Sequence, residues 1–167
     1  GLFFEMFLHT RTSTETVRTS DYISYPSKNE EIQTLLEQTK DSDNSLFSRT
    51  EINTWYTLND PALYSYNGVS QFSSMANKNV TTFLKTLGLP ASEAGNRYYY
   101  ALSSPVVNMF TGIKYIISRN GTVLDNTTLS LLTSCGDAVS YKNDYGLPIG
   151  FITENSILSY DGSLHSN

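Results

Sequence analysis

Ile113-Lys-Tyr-Ile-Ile-Ser-Arg-Asn-Gly-Thr-Val-Leu124 is the stretch that decides the fold class. Its first part is rich in β-branched and aromatic side chains, which suit a pleated surface. Asn120-Gly121 then supplies two residues that tolerate positive φ, as a tight hairpin turn requires. The pattern predicts a strand over 113–119 that turns back into Thr122–Leu124. A sheet built on that hairpin needs a cover, and the cover is legible upstream. Val80, Phe83, Leu84 and Leu87 recur at helical spacing behind Asn77, a residue suited to capping, and Gly88 and Pro90 end the run. A helix is expected at 27–39, where Ser27 and Glu30 have the spacing of a capping box and Ile32, Leu35 and Leu36 form a stripe. Short helices are expected from Ser104-Pro105 to Gly112 and from Leu129 to Ser134, closing at Gly136. Leu46–Trp55, Ala138–Tyr141 and Ile149–Thr153 read as strands. The expectation is one α+β domain, with a small mixed or mostly antiparallel sheet packed by three to four short helices.

The bulk properties narrow the choice of function. A chain of 167 residues suffices for one hydrophobic core. Only 16% of it is charged, with Ser, Thr, Asn and 12 Tyr in place of the charge, a composition unlike that of disordered chains. The net charge is −5, and Lys and Arg are scattered, so nucleic acid and anionic lipid headgroups are poor partners on electrostatic grounds. Cys135 is the only cysteine, which rules out an internal disulfide, and it reads as a small buried hydrophobe. His9 and His165, the only histidines, lie near opposite ends; a Cys135–His pair brought together in space stays open as the competing reading. Asp41-Ser-Asp-Asn-Ser45 begins like a calcium loop, but Leu46 and Ile52 occupy the positions that require Gly and Glu. It reads as a solvated turn, and no metal or cofactor is expected. Leu2-Phe-Phe-Glu-Met-Phe-Leu8 is too short to cross a bilayer. It is either a first strand or helix turn, or the end of a membrane helix. Residues 10–24, rich in Thr and Ser, read as an extended linker or edge strand. The expected organisation is a membrane-proximal segment or linker over 1–24, followed by a soluble domain over 25–167.

The most unusual composition lies between Trp55 and Ser74. Trp55, Tyr56, Tyr64, Tyr66 and Phe72 are interleaved with Asn53, Asn59, Asn67 and Gln71, and Asn67-Gly68 reads as a tight turn. Rings with polar tips and amides with paired donors and acceptors suit a carbohydrate or peptide groove. The candidate contact residues are Trp55, Asn59, Asp60, Tyr64, Tyr66, Asn67, Gln71 and Ser73. The competing reading places half of the rings in the core and uses the amides to close turns. Glu51 and Asp60 flank Trp55 and form a candidate acid–base pair for glycoside hydrolysis. Alternatively, Glu51 is an exposed strand residue and Asp60, just before Pro61, starts a turn. In Tyr98-Tyr-Tyr100, alternation buries either the middle ring or its two neighbours.

Four segments carry a family likeness. Phe47-Ser-Arg-Thr50, Leu63-Tyr-Ser-Tyr-Asn-Gly-Val-Ser-Gln-Phe-Ser-Ser74, Gly112-Ile-Lys-Tyr-Ile-Ile-Ser118 and Tyr141-Lys-Asn-Asp-Tyr-Gly-Leu-Pro-Ile-Gly-Phe151 together resemble the YfhO-like family of bacterial multispanning membrane proteins. The resemblance implies an extracytoplasmic portion at the cell membrane, attached to a transmembrane region arranged like that of C-type glycosyltransferases. It further implies a role in decorating cell-wall polymers such as teichoic or lipoteichoic acid with sugar from a polyprenyl-phosphate carrier. The expected partners are the protein's own transmembrane region and a cell-wall glycan or lipid-linked sugar. The family's catalytic carboxylates lie in loops between membrane helices and have no counterpart here, so no catalytic residue is transferred. The leading function is a non-catalytic portion that positions glycan or braces the membrane part; the alternatives are a stand-alone hydrolase using Asp60 and Glu51 and a purely structural module packed on its own membrane helices.

Overall fold

Ile113–Ser118 is a strand, and it sits inside a sheet rather than at the start of a hairpin. The computed structural model describes residues 1–17, 26–101, 104–122, 127–148, 150 and 152–155. In chain order these form α1 (Leu2–Thr16), α2 (Asn29–Asp41), β1 (Arg49–Ile52), α3 (Asp60–Leu63), β2 (Gln71–Phe72), α4 (Lys78–Thr86), β3 (Arg97–Tyr98), α5 (Pro105–Phe110), β4 (Ile113–Ser118), β5 (Leu129–Cys135) and β6 (Ala138–Asn143). The fold is α+β, with a four-stranded sheet in the order β1-β4-β6-β5 and a separate β2-β3 ribbon. β4 runs parallel to β1 and antiparallel to β6, so the main sheet is mixed.

Both edges of Tyr115–Ile117 are therefore occupied, which leaves no edge for the expected hairpin partner Thr122–Leu124. Val123 and Leu124 themselves lie outside the described residues. The hairpin that does form joins β5 to β6 through Gly136-Asp137, with Cys135 opposite Ala138. Leu129–Ser134, expected as a helix, is thus a strand. Its leucines favour a helix in isolation, but pairing with β6 overrides that preference. Gly136, at φ 56°, supplies the left-handed residue of the two-residue turn.

Each face of the sheet has its own cover. On one face α2 packs Ile32 and Leu35 against Ile52, Tyr64, Ile117 and Ala138, with Cys135 alongside. On the other, Tyr100, Ile113, Ile116, Leu129 and Tyr141 cluster beneath Val69 and Val139. A third cluster of Leu84, Leu89 and Tyr98 takes Leu87 from the end of α4 and Val107 from α5. A chain covered on both faces needs apolar residues at successive positions, which β4 provides.

Other expectations change in detail. The α2 N-cap is Lys28, in the left-handed conformation and without a side-chain cap, so the Ser27–Glu30 box does not form. Ser27 instead offers its carbonyl to Arg119. α4 is capped by Asn77, whose side chain accepts from the Asn79 amide at 2.9 Å. Its buried residues are Thr81 and Leu84, while Val80 and Phe83 remain exposed. α5 starts at Pro105 as expected, and the Ser104 side chain caps it. Residues 10–16 belong to α1 rather than to an extended segment, and α1 buries none of its residues. Ile152 and Thr153 are not in a strand; Ile149 and Phe151 lie outside the described residues. Among the described residues no helix is long and apolar enough to cross a membrane.

Candidate functional site

β1 alternates between the two faces of the sheet, and that alternation explains both candidate carboxylates. Thr50 and Ile52 lie opposite Tyr115 and Ile117, whereas Glu51 lies opposite Ile116 and points to the other face. Glu51 is buried there under the loop 67–70. Its Oε1 accepts from the Val69 and Ser70 amides and its Oε2 from the Ser70 hydroxyl at 3.0 Å. Burial pushes this carboxyl above its ordinary range, against the pull of those three hydrogen bonds. Gly68 is needed for this closure: a Cβ there would lie 2.5 Å from Pro61 Cγ and 3.1 Å from Glu51 Oε1. Asn67-Gly68 is thus not a tight turn. The left-handed residue of this loop is Ser65, and Asn67 runs beside β1, its carbonyl accepting from the Thr50 amide at 2.9 Å.

Asp60 is fully buried at the start of α3. It accepts from the Tyr56 and Thr57 amides, both at 2.8 Å, and pairs with Arg119 Nη2 at 3.2 Å. Arg119 also donates to the carbonyls of Thr54 (3.0 Å) and Ser27 (2.6 Å), and its guanidinium lies 5.7 Å from the centre of the Tyr64 ring. Every oxygen of Glu51 and Asp60 is thus engaged by the protein itself, and both side chains are buried. Neither is placed to meet a substrate, which removes the physical basis of the hydrolase reading.

This buried pair holds the loop that carries Trp55. Thr54 is tied to Arg119 and Tyr56 to Asp60, so the residue between them is fixed from both sides. Trp55 is 39% exposed, and its ring meets Tyr99 edge-on, with centroids 5.6 Å apart and planes at 67°. Tyr98 and Tyr100 are buried, so alternation turns Tyr99 outward, and its amide donates to the Pro90 carbonyl at 3.1 Å. The cleft beside the two rings has a volume of about 440 Å³ and is lined by Leu58, Pro90, Ala91, Ser92 and Arg97 as well. Arg97 makes no ion pair among the described residues.

A larger groove of about 750 Å³ lies between α2 and β1. Tyr64, Tyr66 and Asn67 line it, together with Phe47, Lys40 and Tyr115. Its floor rings are closed off, Tyr64 being 9% exposed and Tyr115 only 2%. Burial, with the nearby Glu51 and Asp60 charges adding to it, raises the Tyr66 phenol above its ordinary range. At the rim Asp43 accepts from Ser45 and Lys114. Burial alone would raise its carboxyl, but hydrogen bonds from Lys114, Ser48 and Ser45 hold it well below the usual range. Asp41 is thus the last residue of α2, and Ser42–Ser45 is the turn that follows it, with the Asp43 side chain covered and ion-paired rather than solvated.

The eight residues expected to form one contact surface are dispersed. Trp55 lines the smaller cleft, while Tyr64, Tyr66 and Asn67 line the larger groove. The Asn59 amide oxygen accepts from the Phe72 amide, Gln71 from the Tyr98 hydroxyl and Ser73 from the Met75 amide. Asp60 is in the core. Tyr99, Arg97 and Ser92 join Trp55 although they lie more than thirty residues away. Only the tyrosine triplet gave a sequence signal for any of them.

A family model described as bacterial membrane protein YfhO matches residues 1–165. No curated protein and no solved structure matches the chain.

Proposed function

Since the chain belongs to the YfhO family of bacterial membrane proteins, we propose that it is an extracytoplasmic portion of a membrane glycosyltransferase-associated protein. In this reading it holds a glycan of a cell-wall polymer, of the teichoic or lipoteichoic acid kind, while sugar transfer from a lipid carrier takes place elsewhere in the protein. The observation that carries the reading is the Trp55–Tyr99 pair. Two part-exposed rings, one gripped on both sides by the Arg119–Asp60 network, offer a rigid apolar platform beside the polar Ser92 and Arg97. Sugar C–H faces stack on such rings, and hydroxyls hydrogen-bond to polar groups at the edge. The larger groove offers more volume, but two of its rings, Tyr64 and Tyr115, are buried in its floor.

A small open platform implies weak binding, with a Kd of about 1 mM. Trp55 is the only tryptophan, so its fluorescence reports this site without interference. Titration with cell-wall glycans is expected to give a saturable fluorescence change whose Kd Tyr99→Ala weakens by roughly ten-fold, and Trp55→Ala, which removes the fluorophore, is expected to abolish the ligand-induced NMR shifts that wild type shows. A flat response from the folded wild-type chain at high ligand concentration overturns the glycan reading. The bracing reading draws on α1, where Leu2, Phe3, Phe4, Met6 and Phe7 are all exposed.

A further inference from the structure

The cleft beside Trp55 and Tyr99 holds a cation that the fold does not use. Elsewhere the arginines are committed: Arg11 pairs with Glu15, Arg49 donates to the Thr111 carbonyl, and Arg119 holds Asp60. The Arg97 side chain is exposed and has no hydrogen bond or ion pair among the described residues. No carboxylate lines the cleft with it, and Leu58, Pro90 and Ala91 are apolar. Ser92 is already engaged, its hydroxyl donating to the Asn96 side-chain oxygen at 2.8 Å and accepting from the Asn96 amide at 3.2 Å. Among the described residues the guanidinium is thus the one charge in this cleft, and no protein group neutralises it.

The backbone fixes where this cation stands. Arg97 and Tyr99 flank Tyr98 in extended chain, so they share one side while Tyr98 turns inward and donates its hydroxyl to Gln71 at 2.8 Å. The Ser92 amide donates to the Arg97 carbonyl at 3.0 Å, Ala91 bridges to Tyr98, and Arg97 pairs with Phe72 of β2 on the other edge. The segment is therefore held from both sides, and Trp55 meets the ring beside it. Charge in the surrounding chain has the same sign. From Pro61 to Leu124 the only acid is Glu93, and it pairs with Lys85 rather than with Arg97. The Lys85 hydrogen bond, with Lys78 also near, holds the Glu93 carboxyl below its ordinary range. In a chain of net charge −5, this cleft carries an uncompensated positive charge.

We propose that the Trp55–Tyr99 cleft takes an anionic saccharide, with the sugar ring on the aromatic pair and the Arg97 guanidinium gripping an oxyanion of the ligand, a phosphate or a carboxylate. A guanidinium presents parallel N–H donors that match two oxygens of either group. Rings select a sugar by its C–H faces, whereas an unpaired cation selects by charge, so the two parts of the cleft read different features of one ligand. The inference rests on the glycan reading of this cleft and adds the charge of the ligand to it, with Arg97 as the residue that sets that preference.

The test compares three sugars that differ in charge: methyl glucoside, its phosphate monoester and methyl glucuronide. Trp55 fluorescence and the NMR shift of its indole N–H follow each titration. At least one of the two anions is expected to bind roughly ten-fold more tightly than the neutral sugar, and the tighter of them identifies the oxyanion. Arg97→Gln leaves every printed contact of the fold in place, because the Arg97 side chain makes none. It is expected to bring the anions to the affinity of methyl glucoside and to leave methyl glucoside itself unchanged. Arg97→Lys should keep only part of the preference, since it retains the charge without the fork. Added salt should erode the preference in wild type and have no such effect on the neutral sugar. Equal affinity for all three sugars in wild type, or a preference for the anions that survives Arg97→Gln, overturns this inference and leaves the glycan reading standing. Inorganic phosphate that binds as tightly as the sugar phosphate overturns both, as does the absence of a response to any of the three sugars.

Discussion

A carboxylate removed from water requires compensation, and Glu51 and Asp60 receive it differently. Asp60 has a cation and two amides, whereas Glu51 has only amides and a hydroxyl. Burial therefore raises the Glu51 carboxyl above its ordinary value of 4.5. With a raised folded value, the folded state retains a proton that the unfolded chain has already released. The contribution of Glu51 to stability is therefore full below about pH 4.5 and declines as pH climbs through the folded value. Asp43, held below its ordinary value, behaves oppositely: its contribution is present above about pH 3.8 and is lost as pH falls through the folded value. Urea midpoints measured from pH 4 to 8 are expected to fall relative to those of Glu51→Gln as pH rises. Parallel curves for wild type and variant would show that Glu51 does not titrate in this way. Both carboxylates looked like catalytic candidates in sequence because their spacing around Trp55 was visible and their burial was not.

At the scale of elements, the loop 64–70 is specified by close approach rather than by turn chemistry. Gly68 has no left-handed φ to justify it, but its missing side chain lets the loop pack on Pro61, Tyr66 and Glu51. Gly68→Ala forces a methyl group into that space and is expected to destabilise by about 1–3 kcal/mol, measured by urea unfolding. An unchanged midpoint would mean that the loop shifts freely. The same distinction separates the elements that were legible from those that were not. α4 and α5 carry caps and terminators within their own segments, and both were readable. The sequence of β5 reads as a helix because its leucines satisfy a helical pattern, and its partner β6 is recognisable only in the sheet. The helical state of residues 10–16 was obscured by threonines that suit extended chain, although Thr14 and Thr16 return their hydroxyls to the Thr10 and Thr12 carbonyls within α1.

Across the whole molecule, Arg119 is the tie. It follows β4 and joins the carbonyl before α2, the Trp55 loop, the start of α3 and the Tyr64 ring. Removing one partner of a buried pair strands the other, so Arg119→Met is expected to cost about 3–5 kcal/mol of stability. The same variant should loosen the Trp55 loop and weaken any ligand response there. A urea midpoint close to wild type would show that water replaces the guanidinium. The sequence by itself determined the α+β class, the family likeness, the two self-contained helices and the richness in aromatics around Trp55, because these reside in local spacing and composition. Only the tertiary structure decided that Trp55 pairs with Tyr99, that Glu51 and Asp60 are buried and bound by the protein, and that half of the α4 stripe faces out. Those outcomes depend on which distant segments share a sheet and which side of each segment is covered, and neither is encoded within a run of neighbouring residues.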